Sequence, residues 1–375
     1  MSGEPNSSVA RTAASPQAES LPFVSVVIPC RNEARYITVC LDSILANDYP
    51  RNRLEVLIAD GMSEDGTREI IDKYSRLRSE VRCLDNPKRI TPSALNIGVA
   101  NARGEVIIRM DAHARIAGDY IRRCVAGLSR YRVDCVGGVM HTLPQEHTPV
   151  GRAIAAALGS GFGVGNSRFR VHPSEPTYVD TVFGACYRRE VFERVGLFNE
   201  RLPRTQDFEF NARLRRGGGR ILLLPGIVSY YYVRVGLGRF WGDNFNNGVW
   251  AVLPFARSRV VPVSWRHLVP LVFVALLMVS ALLAPRSAAA RLVLAAVAGA
   301  YLAAAASASV LIAWRRREPR FLAVMPVVFS ALHVAYGLGS LWGLTKISTA
   351  SALRVLSGAR RAIRHALQPE ARGRE

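Results

Sequence analysis

Short runs of β-branched and aliphatic residues alternate with amphipathic segments of helix length over the first third of the chain. The apolar runs VSVVIP, LEVLIAD, VRCL, GEVIIRMD and DCVGGVM begin at residues 24, 54, 81, 104 and 134. The segments between them, at residues 35–46, 65–77, 91–103 and 118–131, have the length and polarity of surface helices. Because strands alternating with such helices are joined by right-handed crossovers, the pattern predicts an α/β domain with a mainly parallel, doubly wound sheet.

The alternation loosens beyond residue 140 but does not stop. A small-residue helix and the glycine-rich stretch GSGFGVGNSRFR lie within residues 150–176, followed by the strand YVDTVFGACYRRE, a helix over 206–216 and a last strand, RILLLPG. We therefore assign residues 21–233 to one globular domain. Residues 1–20 are rich in Ser, Ala and Pro and have no apolar run, which predicts a disordered leader and not a signal peptide.

Three apolar segments follow, at residues 267–284, 291–314 and 321–344. The last two are long enough to cross a hydrocarbon core of about 30 Å, and the first only just reaches that length. Residues 234–266 mix aromatics, glycine and arginine, which is typical of a segment at a membrane interface. The sequence thus predicts a multi-pass membrane protein, with a buried-helix soluble domain as the alternative.

Arginines indicate the orientation of these segments, with one conflict. Those between the second and third segments mark a cytoplasmic loop, and three spans then place the globular domain in the cytoplasm as well. The tail, residues 345–375, predicts a basic amphipathic helix that prefers the anionic cytoplasmic leaflet, yet three spans put it outside. Either the charge rule is broken, or the third segment, interrupted by Pro326 and three glycines, turns back; both alternatives stay open.

Charge and cysteine content narrow the possible partners. The 375 residues include 49 Lys or Arg against 29 Asp or Glu, a formal net charge of +20. From Arg266 onward there are 14 basic and 3 acidic residues, so more than half of the excess lies beside the apolar segments. That placement favours anionic membrane lipid as partner over nucleic acid, since the globular part has no basic stretch interleaved with aromatics. The six cysteines are scattered without zinc-site spacing, which fits a reducing compartment.

Acidic and amide side chains follow three of the predicted strands. Ligands of an open parallel sheet bind beyond the carboxyl ends of its strands. Asn32 and Glu33 follow the first strand, Asp60 ends the second, and Asp111 and His113 follow the fourth. A carboxylate and an imidazole two residues apart can hold a divalent cation, although a solvated turn with a structural histidine is the alternative.

Four segments, VSVVIPCRNEARYI, LIADGMSEDGTREII, IRMDAHARI and TQDFEFNARLRRGGGRI, resemble in order and spacing the family 2 inverting glycosyltransferases of the GT-A fold. NPKRITPSALNIGVANARGEVIIRMDAHARI, FGVGNSRFR, SWRHLVPL and HVAYGLGSLWGL are similar to a subgroup typified by a succinoglycan glucosyltransferase. The likeness covers about residues 23–344. It implies a nucleotide-diphospho-sugar transferase domain that moves one hexose, glucose from UDP-glucose, onto a polyprenyl-diphosphate-linked saccharide in exopolysaccharide or cell-surface glycan biosynthesis.

The resemblance also implies roles for individual residues. It assigns Asp207 as the catalytic base, at a helix start where the dipole favours its ionised form. The implied nucleotide-sugar-binding residues are Pro29, Asn32, Glu33, Asp60, Asn96, Arg109 and Asp111. Gly184, Ala185 and Gln206 are placed on the acceptor side, with residues 184–186 as a small-residue turn and GSGFGVG as a flexible acceptor loop. Mg²⁺ or Mn²⁺ is expected at Asp111 and His113, although His113 replaces the usual second acid.

The Gln-x-x-Arg-Trp motif of processive synthases is absent, since residues 243–250 read DNFNNGVW, and this favours single-sugar addition.

The sequence also allows two other functions. A polyprenyl-phosphate glycosyltransferase that makes a single-sugar lipid is one alternative. A non-catalytic membrane protein with a degenerate nucleotide domain is the other.

Overall fold

The alternation of strands and helices is reproduced in the computed structural model, which describes residues 21–233, 236–258, 260 and 264–366. The predicted leader, residues 1–20, lies outside the described residues. The strands are β1 (Val24–Cys30), β2 (Leu54–Asp60), β3 (Val81–Asp85), β4 (Val106–Arg109), β5 (Ala114–Ile116), β6 (Cys135–Pro144), β7 (Thr177–Tyr178), β8 (Phe183–Arg188) and β9 (Ile221–Val233). The helices are α1 (Ile37–Leu45), α2 (Thr67–Leu77), α3 (Thr91–Asn101), α4 (Tyr120–Tyr131), α5 (Pro149–Leu158), α6 (Gly161–Val164), α7 (Arg168–Val171), α8 (Glu190–Val195), α9 (Gln206–Arg216), α10 (Leu237–Val252), α11 (Pro254–Arg257), α12 (Val269–Leu283), α13 (Ala288–Arg316) and α14 (Phe321–Ala366).

All the strands join one sheet, in the order β3-β2-β1-β4-β8-β6-β9-β5, with β7 also paired to β9. The predicted α/β class is confirmed, and β1, β2, β3 and β4 are parallel as expected. The sheet as a whole is mixed, because β8 runs antiparallel to both β4 and β6, and β5 and β7 run antiparallel to β9. Hydrophobic runs do not encode direction, since strands covered on both faces are apolar in either orientation.

The C-terminal apolar part forms a helical hairpin and one long helix. Two helices among the described residues, α13 and residues 321–348 of α14, are long and apolar enough to cross a membrane. The first predicted span is shorter than expected: α12 has 15 residues and reaches about 22 Å at about 1.5 Å per residue. Leu292 and Trp314 on α13 are more than 70% exposed, as expected for a surface that faces lipid.

The third apolar segment does not turn back. It continues as one helix from Phe321 to Ala366 despite Pro326. Glycines where α10 and α14 cross instead allow close packing. A Cβ added at Gly339 of α14 would overlap the backbone oxygen of Phe245 in α10, and a Cβ added at Gly248 of α10 would overlap the backbone oxygen of Tyr336 in α14. Small residues at such crossings let two helices approach closely. The predicted interfacial segment is therefore largely a helix packed along α14.

The loop between α13 and α14 lies beside the globular domain. Arg152 of α5 pairs with Glu318 of this loop at 3.1 Å. The first half of α14 packs on α5 through Ile154, Met325 and Phe329. The structure thus brings the arginine-rich loop next to the globular domain.

The contact between α10 and α14 leads to a stability prediction. Gly339→Ala is expected to lower the thermal unfolding midpoint by several degrees, because the new methyl group overlaps the α10 backbone, and overpacking costs about 1–3 kcal/mol. Gly299→Ala is the matched control, since nothing lies within 4 Å of a Cβ at that position of α13. Thermal unfolding in detergent checks this; equal midpoints for the two variants would contradict the packing.

Candidate active site

Arg109 joins two carboxylates that are far apart in the sequence. Its Nη2 lies 2.8 Å from Asp111 Oδ1 and 3.1 Å from Asp207 Oδ2. Arg109 ends β4, its side chain is 11% exposed, and its Nε has no partner among the described residues. We call the arrangement of Arg109, Asp111 and Asp207 the charge bridge. It brings the end of a central strand and the start of α9 to one point.

An unusual backbone conformation precedes Asp207. Thr205 has φ = 62°, in the left-handed region that a β-branched residue rarely adopts. Its hydroxyl donates to the backbone oxygen of Arg204 at 2.6 Å. The following Gln206 is buried, and its Oε1 has no partner among the described residues. Such local strain often occurs at functional sites, and here it directs the first turn of α9 toward Arg109.

The surroundings of Asp207 set its basicity. Burial raises the pKa of Asp207, the positive charge of Arg109 lowers it, and Asp111 raises it again, so that the net direction is upward. The upward direction is opposite to the effect expected of the helix dipole alone. A carboxylate with a raised pKa is a stronger proton acceptor once ionised. Asp207 remains 27% exposed on its side chain, which leaves it accessible to a ligand.

The residues at the ends of β1 and β2 meet as predicted. Cys30 is the register partner of Asp60, so the loops that follow the two strands are adjacent. Asn32 adopts φ = 54°, its N–H donates to the Ser63 hydroxyl at 2.9 Å, and its Oδ1 accepts from the Glu64 N–H at 3.0 Å. Asp60 is buried and accepts from the N–H and the hydroxyl of Ser63. These bonds hold the two loops together beside Pro29.

His113 pairs with Glu33 at 3.1 Å between Nδ1 and Oε1. Burial lowers the pKa of His113, but Tyr231, the Glu33 carboxylate and Asp111 outweigh it and raise the pKa above its ordinary value. Nδ1 is therefore engaged by Glu33, and a cation could reach this ring only through Nε2. The use of His113 as a metal ligand stays a prediction.

Asp111 offers a carboxylate to a cation at the end of β4. No set of three or more His, Cys, Asp and Glu side chains able to hold a metal ion occurs in the described part of the chain. Mg²⁺ is commonly bound by one or two carboxylates together with substrate phosphates and water. Asp111 fits that pattern if a bound diphosphate supplies further oxygen ligands. A cation bound there would share the Asp111 carboxylate with Arg109.

Three predicted site residues, Asn96, Gly184 and Ala185, have structural contacts of their own. Asn96 accepts from the Phe198 N–H at 2.9 Å and donates to the Phe198 backbone oxygen at 3.0 Å, so it ties α3 to the loop before α9. Gly184 and Ala185 belong to the buried strand β8, and the predicted small-residue turn is wrong. Gly184 has φ = 59° and lies against Tyr120, whose hydroxyl donates to its backbone oxygen at 2.6 Å. The glycine is required by this close contact.

A cavity of about 1160 Å³ begins at the charge bridge and extends to the apolar helices. Its polar end includes Arg109, Asp111, Gln206 and Asp207. Its other end is formed by α12, α13 and α14, with the lining side chains Val269, Phe273, Val297, Tyr301, Leu332 and His333. Tyr301 and His333 are hydrogen-bonded at 3.1 Å. One continuous space thus connects a carboxylate site with walls contributed by candidate membrane spans.

Sequence reasoning missed part of this cavity. GSGFGVG, expected to be a flexible loop, forms the short helix α6 and lines the wall with Phe162. Arg170 and Arg266 also line it. Arg213 of α9 does not reach the cavity, because it donates to Glu209 and to the backbone oxygens of Val195 and Leu197. The only sequence signal for Arg170 is its place in FGVGNSRFR.

Comparisons with known proteins agree with this architecture. A sequence model described as "Glycosyl transferase family 2" matches residues 25–196. The chain is 33% identical over 248 residues to the succinoglycan biosynthesis protein ExoA of Rhizobium meliloti, covering 66% of this chain and 74% of that protein. It is 30% identical over 234 residues to the dolichyl N-acetyl-alpha-D-glucosaminyl phosphate 3-beta-D-2,3-diacetamido-2,3-dideoxy-beta-D-glucuronosyltransferase of Methanococcus voltae, covering 60% of this chain and 72% of that protein.

Solved structures include one that shares most of the fold. The mannosyltransferase PcManGT from Pyrobaculum calidifontis, in complex with GDP-Man and Mn²⁺, superposes with a TM-score of 0.55. It is 21% identical, and the match covers 88% of this chain and 89% of that one. At this identity the likeness concerns the fold, including a region beyond the globular domain.

Proposed function

Because the chain belongs to glycosyl transferase family 2, and is therefore a glycosyltransferase, we propose that it transfers a single hexose from a nucleotide sugar to a lipid-linked saccharide at a membrane surface. The observation that carries this proposal is the cavity that joins Asp207 to α12, α13 and α14. A lipid-borne acceptor must present its sugar to a polar site while its chain stays in an apolar environment. One continuous cavity with both kinds of wall meets that requirement.

Asp207 is the proposed general base. An acceptor hydroxyl is a weak nucleophile at neutral pH, so a carboxylate must take its proton as the oxygen attacks the anomeric carbon from the face opposite the diphosphate. That geometry inverts the anomeric centre, as is typical of the family. Arg109 holds one oxygen of Asp207 at 3.1 Å, which leaves the other oxygen for the hydroxyl proton.

The donor is proposed to bind where β1, β2 and β4 end. The adjacent loops at Pro29, Asn32 and Asp60 suit a nucleoside, and we take the donor to be UDP-glucose, with Asp60 near the base. A divalent cation, Mg²⁺ or Mn²⁺, held by Asp111 and the donor phosphates would offset the charge of the departing diphosphate. The Pyrobaculum calidifontis structure contains GDP-Man and Mn²⁺, which supports a nucleotide-sugar donor and a cation, while leaving the base open to test.

The acceptor is proposed to be a polyprenyl-diphosphate-linked saccharide in exopolysaccharide or cell-surface glycan synthesis. Support comes from the relatives, one a succinoglycan biosynthesis protein and the other named for a dolichyl-linked sugar phosphate. The catalytic domain is proposed to face the cytoplasm, with anionic lipid around the arginines that flank α13 and α14. The proposed domain order is the one predicted from the sequence: a leader (1–20), the transferase domain (21–233), an interfacial segment (234–266), a membrane domain (267–344) and a basic tail (345–375).

Transfer assays with purified protein in lipid nanodiscs test the proposal. Labelled UDP-glucose and a panel of other UDP- and GDP-sugars are offered with three acceptors: a polyprenyl diphosphate saccharide, polyprenyl phosphate, and the same saccharide without lipid. We expect one added hexose by mass on the diphosphate-linked acceptor. A product formed on polyprenyl phosphate alone would favour a single-sugar lipid synthase, and equal turnover of the lipid-free saccharide would contradict the use of the apolar end.

A further inference from the structure

Arg170 brings an uncompensated positive charge to the wall of the cavity. Its guanidinium Nη1 donates to the Thr142 hydroxyl at 3.2 Å, and its Cζ lies 5.9 Å from the ring centroid of Tyr231 and 5.6 Å from that of Phe169. Within the described part of the chain, no carboxylate forms an ion pair with it. Burial lowers the pKa of Arg170, which is the direction expected for a cation held away from water without a counter-charge.

The other three arginines that line the cavity all have acidic partners. Arg109 lies between Asp111 and Asp207, Arg204 is 3.7 Å from Asp243, and Arg266 is 3.0 Å from Asp180. Arg170 is half-buried, and removing a charge from water without an opposite charge nearby is costly, so an anionic ligand at this position would be favourable. Arg170 therefore differs from its neighbours in lacking that charge within the described residues.

The position of Arg170 indicates which kind of anionic ligand it would bind. Tyr231, beside Arg170, is also in edge contact with His113, with ring centroids 4.8 Å apart, so Arg170 lies toward the Asp111 side of the cavity. The same cavity continues to the apolar helices. The planar guanidinium presents paired donors that match phosphate oxygens, and it keeps its charge at any physiological pH.

We propose that Arg170 is the phosphate-binding residue of this cavity and pairs with a diphosphate group bound between Asp111 and the apolar helices. The inference rests on the proposed function for the identity of its ligand, and two sources share the chemistry: the diphosphate of the nucleotide sugar and the diphosphate of the lipid acceptor. Either ligand would supply the negative charge that no described carboxylate provides at this position.

Binding to Arg170→Gln, Arg170→Lys and wild type in nanodiscs tests the proposal. The probes are inorganic pyrophosphate, UDP and undecaprenyl diphosphate, measured by calorimetry or by competition with a labelled nucleotide. Loss of a hydrogen-bonded charge partner corresponds to about a 10- to 100-fold loss of affinity. We expect that loss for pyrophosphate and for one of the two other probes in Arg170→Gln, and a smaller loss in Arg170→Lys. Selective loss for UDP assigns the donor, and selective loss for the lipid assigns the acceptor.

Arg168→Gln provides the matched control. Arg168 lies on the same short helix and is exposed, and its replacement by glutamine removes the same charge. A general electrostatic effect would therefore weaken binding equally in both variants. Equal losses, or unchanged affinity for all three probes in a folded Arg170→Gln protein, would overturn the proposal. Pyrophosphate binding needs no sugar transfer, so the binding test does not depend on the proposed reaction. If that reaction is wrong, the wild-type protein will bind pyrophosphate but transfer no sugar.

Discussion

Asp207→Asn is expected to lower transfer by about 10³-fold while leaving the affinity for UDP within about twofold of wild type. General-base catalysis contributes about 10²- to 10⁴-fold, and the amide cannot accept the hydroxyl proton. Asparagine keeps the shape of the side chain and an oxygen that can still accept from Arg109, so the charge bridge is altered mainly at the atom that reacts. Turnover of labelled donor and calorimetric UDP binding measure the two quantities.

Asp119→Asn is the control for this substitution. Asp119 lies before α4, is exposed and pairs only with Arg123 in the described structure, so its loss should leave turnover unchanged. More than about a tenth of wild-type turnover in Asp207→Asn would exclude Asp207 as the base. A parallel loss of UDP affinity would instead place the residue in donor binding.

Arg109→Gln is expected to lower kcat by about 10²-fold and to move the acidic limb of the kcat profile to higher pH. Removing one partner of a buried charge pair costs about 3–5 kcal/mol, and here it leaves Asp111 and Asp207 without their shared cation. The sign of the pH effect follows from the geometry. Arg109 lowers the pKa of Asp207, and burial and Asp111 raise it. Without Arg109 the base protonates at higher pH, so turnover falls sooner as the pH is lowered.

Lysine at position 109 provides a rescue test. Arg109→Lys retains the charge but cannot present the planar set of donors, so we expect the acidic limb to return toward its wild-type position with only partial recovery of kcat. Arg122→Gln, which breaks a half-exposed pair with Asp48 outside the cavity, should alter neither quantity. An unchanged pH profile in Arg109→Gln would contradict the electrostatic role of the charge bridge.

The local sequence pattern predicted where helices and strands occur, but it did not predict which residues pack against each other. The strands at residues 54–60 and 81–84 and the helix at 206–216 were predicted within one or two residues, because each is defined by its own periodicity. Residues 184–186 were misread because a run of small residues is equally compatible with a turn and with a tightly packed strand. The distinction depends on Tyr120, whose hydroxyl occupies the space that a side chain at Gly184 would need.

The α/β alternation, the acids at the strand ends and the apolar character of the C-terminal helices could all be predicted, since they depend on the order and spacing of nearby residues. The sequence also pointed to the family through motifs that are contiguous. The folded structure was needed for the mixed strand directions and for the meeting of Asp111 and Asp207 on Arg109. It was also needed to place Arg170, which has no ion-pair partner among the described residues, in a cavity that reaches α12, α13 and α14. The physical reason is that such contacts join segments far apart along the chain, and their geometry depends on how whole helices and strands pack.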